Sequence, residues 1–554
     1  MKKHYFTLLA LFLSLVSPTL FAQTPNWDWA DAAGDHGYES ASSVAVDAAG
    51  NAYITGPYTS AFINFGTFSL LNTFSGTADI FLVKYDPTGL VLWANTIGAA
   101  DGDVATSITI DAGGNVLITG WFTSPSITFG TTVLTNAGTA SSDFFIAKYD
   151  SAGNLIWAKS AGGTVNDRGQ DVSTDGTGNI FVAGWYTSPT INFGTGVLTN
   201  SGSATNEIFV VKYDPNGNAL WSKSIGGTNY DAAYSCEADA TGNLYVTGSF
   251  ASASIDFGSG ALVNTQTNFH DFFITKYDAA GNSIWSRSAA GAYDDIANAI
   301  TISGTNIYVT GYFNSPTVQF GTNPVLTNAS APTNDIFIAQ YSSTGTANWS
   351  ERAGGIDSDE GKCIYADALG NAYISGSFIS TSISFGTGIL TNFSAGTKDI
   401  FVGAFNNAGT SLWSLQVGNS TDEVGYGIAC TSNAAIIYVA GMFNSGTVSF
   451  GSNAIFKGCG DDVFLAKLSN STTGLGENSS ENNFLIYPNP SNGIFSIDSK
   501  FENAKVEIYN SMGEKVFSSS HMPNSIDISA NAKGVYFVKI NLEGKIYSRR
   551  VIVE

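Results

Sequence analysis

The chain has 554 residues, 61 of them glycine, with 44% hydrophobic, 13% aromatic and only 12% charged residues. Such a composition suits many short strands joined by tight turns. Residues 23–468 hold 13 Lys and Arg against 36 Asp and Glu, so this part carries 13 − 36 = −23. A body that acidic repels phosphate backbones and anionic lipid, which excludes nucleic acid and favours cations or basic partners.

Residues 1–22 read as a signal peptide: Lys2 and Lys3, an apolar stretch from Tyr5 to Val16, and a cleavage point around Phe21-Ala22-Gln23. That stretch is too short to span a bilayer, and no other segment approaches transmembrane length. The expectation is an exported chain with no transmembrane span.

Residues 23–468 are repetitive. DFFIAKYDSAGNLIW (Asp143 to Trp157) is an apolar run, an Asp-x-x-Gly-Asn turn and a second apolar run, which is a β-hairpin. Variants close on Trp93, Trp221, Trp285, Trp349 and Trp413, with Trp29 ahead of them, each step being 64 residues. In the unit from Thr106 to Ser160, Ser107 to Asp111 and Val116 to Gly120 add two strands, and Ser126 to Asn136 a hairpin-like insertion. Seven units of four antiparallel strands predict an all-β fold, a seven-bladed β-propeller. The strands are out of phase: Asn26 to Ala30 precedes any first strand, and Val463 to Leu468 runs straight into the following linker. Pairing these two segments predicts a ring closed by three strands from one end of the chain and one from the other, with Trp29 buried there.

The repeats resemble the bacterial SBBP (beta-propeller) family, on GNAYITG (Gly50 to Gly56), GNLYVTG (Gly242 to Gly248), the D-x-F-hydrophobic-x-K-Y-D stretch, N-x-x-W and the following Gly162-Gly163 and Gly226-Gly227. The resemblance implies a fold and an extracellular setting, without a single activity. The fifth and seventh repeats depart from it at Asn306 and Ala434-Ala435.

Residues 469–483 (SNSTTGLGENSSENN) read as a flexible polar linker. Residues 484–554 read as a small antiparallel β-sandwich. They resemble the C-terminal sorting domain of the type IX secretion system, the matching residues being Tyr487, Pro488, Asn489, Pro490, Gly493, Gly513, Gly534 and Tyr536. The resemblance implies delivery by the type IX machinery to the surface of, or the medium around, a Gram-negative bacterium.

Two acidic positions follow the repeat. One precedes each first strand: Glu39, Asp103, Asp167, Asp231, Asp295, Asp359 and Glu423. The other precedes each third strand: Asp79, Asp143, Glu207, Asp271, Asp335, Asp399 and Asp462. The meander puts both at one end of the fold, as two concentric rings. Neighbouring carboxylates ~8 Å apart repel by about 0.5 kcal/mol in water and about 2 kcal/mol at an effective dielectric of 20. The rings must therefore be wet, capped by backbone N–H groups, or neutralised by cations, for which calcium is the candidate.

Positions that break the repeat point better to a ligand. Arg168, Tyr38, Tyr230, Lys362 and the extra acids Asp294, Glu360 and Asp422 lie beside the first ring, the acids concentrating in repeats five to seven. The regular aromatics Tyr58, Phe122, Tyr186, Phe250, Phe313, Phe378 and Phe443 read as packing before they read as a sugar platform. Only His36, His270 and His521 remain in the mature chain, and no nucleophile, zinc or phosphate-loop motif occurs. The expectation is a non-enzymatic binding or adhesion protein for a protein or glycan ligand. A polysaccharide-active glycosidase or lyase using Asp, Tyr and Arg is the second reading, and a structural surface component the third. Cys236, Cys363 and Cys430 are expected to be buried thiols, with a Cys430–Cys459 bridge as the alternative.

Overall fold

The computed structural model describes residues 24–72, 74–202, 204–386, 388–469, 484–499, 504–510, 514–542 and 545–553. The expected signal peptide, nearly all of the linker, and Gly513 lie outside them. The chain divides into two compact units, Met1–Asn470 and Ser471–Glu554.

The described residues of the first unit form repeated four-stranded antiparallel sheets with small ribbons between them. Sheet 2 is typical. Its inner strand Asp103–Ile110 pairs with Val116–Phe122, which pairs with Asp143–Tyr149, which pairs with Leu155–Ala161. The two middle strands are buried along almost their whole length, while the outer strand alternates. Middle strands covered on both faces must be apolar throughout, whereas an outer edge needs only one apolar face. Each turn is built as its letters dictate. Asp150 Oδ1 accepts from the N–H groups of Ala152 and Asn154, both at 2.9 Å, and Gly153 supplies φ = 84°.

Sheet 1 repeats this with Ser43–Val46, Ala52–Tyr58, Asp79–Tyr85 and Val91–Ile97. Sheets 3, 4, 5 and 6 start at inner strands Asp167–Thr174, Asp231–Ala238, Asp295–Ser303 and Asp359–Ala366. In sheet 7, Glu423–Cys430, Ile436–Phe443 and Cys459–Ser469 are joined by the N-terminal strand Asn26–Ala33. The register runs from Asn26 opposite Ser469 to Ala33 opposite Val463, with Trp29 opposite Lys467. His36–Tyr38 adds a parallel pairing to Cys459–Asp461. Trp29 is half-buried rather than buried, because its strand is the sheet's outer edge.

Each apolar cluster spans two neighbouring sheets. Leu117, Phe144 and Ile146 of sheet 2 pack with Val182, Tyr186 and Phe209 of sheet 3. Ile54 and Phe81 of sheet 1 pack with Ala440 and Leu465 of sheet 7. The ribbons fold over this core. Phe129 of ribbon Ser126–Phe129/Thr132–Thr135 meets Phe145 at a ring distance of 5.0 Å, and Phe257 and Phe450 do likewise with Phe273 and Phe464.

The repeat's signature residues are a clasp between sheets. Trp157 Nε1 and Lys148 Nζ, both on sheet 2, donate to the carbonyl of Pro215 in the turn of sheet 3, at 3.2 and 3.3 Å. Trp93 with Lys84 holds Ser151 in the same way, Trp221 with Lys212 holds Ala279, and Trp29 with Lys467 holds Pro87. The turn glycine lies flat under the indole. Gly217 has φ = 80°, and a Cβ there would come within 3.0 Å of Trp157. Gly217→Ala is therefore expected to cost at least about 1–3 kcal/mol. Urea unfolding should show a lower midpoint at unchanged slope; an unaltered midpoint would remove the clasp's significance.

All four cysteines are free, Cys459 being exposed, so the alternative Cys430–Cys459 bridge is not formed. Cys236 and Cys430 are buried on inner strands as expected, whereas Cys363, on the inner strand of sheet 6, is only half-buried.

The second unit is two antiparallel sheets around one core. Phe484–Tyr487, Ile494–Ser499 and Ile526–Asp527 form one; Lys515–Ser519, Lys505–Asn510, Gly534–Leu542 and Lys545–Val553 form the other. Phe495, Val506, Ile508, Ile526, Val538 and Val551 fill the space between them.

Candidate functional site

The first acidic ring proves to be a set of loop caps. Asp167 Oδ2 accepts from Gly163 N at 2.8 Å and Ser188 Oγ at 2.7 Å, while Oδ1 accepts from Ser188 N at 3.2 Å. Asp231 and Asp359 take the same bonds from Gly227 and Ser252, and from Gly355 and Ser380. Asp103, Asp295, Glu39 and Glu423 are held alike by Ser124, Ser315, Ser60 and Ser445. None of the seven is exposed.

The two rings interlock. Each first-ring residue donates its backbone N–H to the carbonyl just before a second-ring residue of the preceding sheet, as Asp167 does to Ser142 and Asp295 to His270, both at 2.7 Å. Asp143 thus lies beside Asp167, Asp79 beside Asp103, Asp271 beside Asp295, and Asp399 beside Glu423. The glycine after the outer strand makes room: a Cβ on Gly162 would lie 2.2 Å from the Asp143 carboxylate. One oxygen each of Asp79, Asp143, Asp335, Asp399 and Asp462 has no hydrogen-bond partner among the described residues. Burial, and then the neighbouring carboxylate, push Asp79 and Asp399 up to about 7. Burial, against the pull of their caps, lifts Asp167 and Asp295 to about 7 and Asp103 and Asp359 to about 6. Asp335 is raised less freely, since Arg352 pairs with it at 2.5 Å. Among the described residues no three His, Cys, Asp or Glu side chains are grouped to hold a metal.

The extra acids are also engaged. Asp294 and Asp422 accept from the N–H groups of His270 and Lys398, at 2.8 and 2.9 Å. Glu360 pairs with Lys362 and accepts from Asn334 Nδ2 at 2.9 Å. The regular aromatics from Tyr58 to Phe443 are all fully buried, which removes them as a sugar platform.

The sequence reading missed the residue just before each of them. Trp121, Trp185 and Tyr312 hold that place in sheets 2, 3 and 5 and are half-buried. The inner strands of sheets 2 to 7 each carry a β-bulge at one register. The extra residue is Thr106, Gln170, Tyr234, Asn298, Lys362 and Tyr426 in turn, each half-buried. A bulge re-aims a side chain out of the ladder. The available signal was irregularity at a fixed register.

Residues 485–554 match the family described as the secretion system C-terminal sorting domain. Of the sorting residues, Tyr487, Pro488, Asn489 and Pro490 are exposed, Asn489 Oδ1 accepts from Ile552 N at 2.9 Å, and Tyr536 is buried. Gly493 and Gly534 both adopt positive φ. The chain is 27% identical over 413 residues to the uncharacterized WD repeat-containing protein L264 of Acanthamoeba polyphaga mimivirus, covering 62% of this chain and 30% of that protein. It is 28% identical over 173 residues to the regulatory protein FlaEY of Caulobacter vibrioides, covering 30% of this chain and 18% of that one. The chain thus spans less than a third of either relative. Among solved structures it is similar to the WD40 repeats of RRP9 (TM-score 0.45, 7% identity, covering 80% of this chain and 99% of that one). It is also similar to PorZ of the Porphyromonas gingivalis type-IX secretion system (TM-score 0.27, 10% identity, covering 93% and 75%).

The class is that of an all-β repeat protein with a type IX sorting tail. Such a tail marks a secreted or cell-surface protein of Bacteroidetes-type bacteria, whose export involves the type IX machinery.

Proposed function

We propose that the chain is a non-enzymatic binding protein: a closed seven-bladed propeller of SBBP type, presented outside the cell, with its ligand at the acid-capped end of the ring. The bulge series carries this reading. A bulge kept at one register in six inner strands, filled by five different residue types with only tyrosine used twice, is a fixed frame holding variable contacts. A purely architectural position would repeat its residue, as the caps and clasps do. Closure is supported by the pairing of Asn26–Ala33 with Cys459–Ser469. Screening the full chain on glycan and surface-protein arrays should give a ligand whose binding is lost in Tyr234→Ala or Tyr426→Ala. A ligand indifferent to both would place the function elsewhere, and turnover of a bound glycan would replace binding by catalysis.

The tail gives a separate prediction. Removing residues 484–554 takes away a unit with its own core, so the first unit should keep its strand signal in circular dichroism while surface delivery stops. Normal export of the truncated chain would refute the assignment.

A further inference from the structure

Arg168 is placed unlike the repeated lysines. The repeated lysines point at turn carbonyls, and Arg352 and Lys362 are ion-paired. Arg168, on the inner strand of sheet 3, is different. Its guanidinium carbon stands 4.2 Å from the ring centre of Trp121 on sheet 2 and 5.2 Å from that of Trp185 on its own sheet. Nε donates to Ser142 Oγ at 3.1 Å, and Ser142 Oγ in turn lies 3.1 Å from Asn166 Oδ1, so the hydroxyl is oriented to accept. Among the described residues no carboxylate is ion-paired to it, and no protein acceptor meets its two terminal nitrogens. Gln170, the bulge residue two positions on, has an amide with no protein partner among the described residues.

A guanidinium fixed by one nitrogen and two indoles, with its bidentate edge free, is preorganised for a planar oxyanion. Arg168 is a local cationic exception in a chain of net charge −22, so an anionic ligand would have to meet it through a short-range, geometry-matched carboxylate rather than through overall attraction. From this geometry we infer that Arg168, Trp121, Trp185 and Gln170 form a subsite for the carboxylate of a uronic-acid residue in an acidic glycan. Arg168 takes the carboxylate. The half-buried indoles, each with one ring face toward the guanidinium, would meet the C–H face of the sugar with what they leave exposed, and the Gln170 amide takes a ring hydroxyl. An acidic peptide offers the same carboxylate but no saturated ring face for two indoles, which is why the glycan is favoured.

The inference rests on the binding reading above, and its test separates the two. Hexamers of galacturonate, guluronate and glucuronate, their carboxyl-reduced counterparts and hexaglutamate are titrated into the full chain by calorimetry. At least one hexauronate should bind at least tenfold more tightly than its reduced form. Arg168→Gln should erase that preference, and Arg168→Lys, which keeps charge without the planar fork, should restore only part of it. Each variant is first shown to melt as the parent does; if Arg168→Gln does not, Trp185→Ala and Gln170→Ala carry the comparison. Equal affinity for reduced and charged hexamers, or tighter binding of hexaglutamate, overturns the uronate subsite while leaving a binding protein. Absence of binding to every hexauronate overturns it too, and the arrays then decide the broader reading.

Discussion

Deleting residues 24–33 should unfold the first unit, not trim it. The N-terminal strand supplies seven residue pairings to Cys459–Ser469 and carries contacts to two sheets. Trp27 packs edge-on against Phe450 at 4.8 Å, while Trp29 lies 6.3 Å from Tyr85 and 5.9 Å from Tyr438 and bonds to Pro87. Asp31 shares a hydrogen bond with Tyr85, a residue of sheet 1. Loss of this strand removes the outer edge of sheet 7 and the clasp onto sheet 1 together. The combined effect should exceed about 5 kcal/mol, comparable with the net stability of a folded domain. It would also bare a long apolar edge to other chains. The deleted protein should aggregate in sedimentation and lose its cooperative urea transition, whereas Trp29→Ala alone should cost about 2–4 kcal/mol and stay monomeric. A deletion variant that melts cooperatively near the parent temperature would refute the closure.

Stability should fall as pH rises from 5 to 8. The junction carboxylates Asp79, Asp103, Asp143, Asp167, Asp271, Asp295, Asp359 and Asp399 are raised by burial to about 6 or 7. In the unfolded chain they titrate near 4, so between pH 4 and pH 7 the native state holds more protons than the unfolded one. The stability they contribute is complete below pH 4 and is lost as pH passes their folded values. The turn carboxylates act in the opposite sense. Asp150, Asp214 and Asp278 are lowered first by the asparagine four residues on, and Asp111, despite its burial, by Lys148 and Asn115. Their contribution is present above pH 4 and lost below it. A stability maximum near pH 5 follows, with a melting temperature on the order of 10 °C lower at pH 8. Asp143→Asn together with Asp271→Asn should flatten the slope on the alkaline side. A melting temperature that is level or rises from pH 5 to pH 8 would show that the junctions are not protonated.

The repeat was legible because it is written in residues whose reasons are local. Asp150, Gly153 and Trp157 each state a turn, a positive φ or a packing ring. The acids at Asp143 and Asp167 were equally visible, but their meaning was not. Two positions 24 residues apart in sequence meet only when one sheet's third strand is laid against the next sheet's first, so two rings on paper became one series of pairs. Trp121 and Trp185 were overlooked beside Phe122 and Tyr186 because regularity attracts attention, and regularity here marks the buried residue. Arg168 was noticed for breaking the pattern, yet its two indoles come from different sheets, which spacing alone could not bring together.

The pairing of Asn26 with Ser469 also sets an order of events. The partners are separated by 469 − 26 = 443 residues, so Asn26–Ala33 waits until the other strands of the first unit have been made before it has its own to pair with. Until then both flanks of the growing array are bare, and loop-closure entropy opposes the final step. A chain halted before Val463 therefore holds no partner for Asn26–Ala33, and the strand pairing that joins the two ends of the first unit is the contact that has to come last.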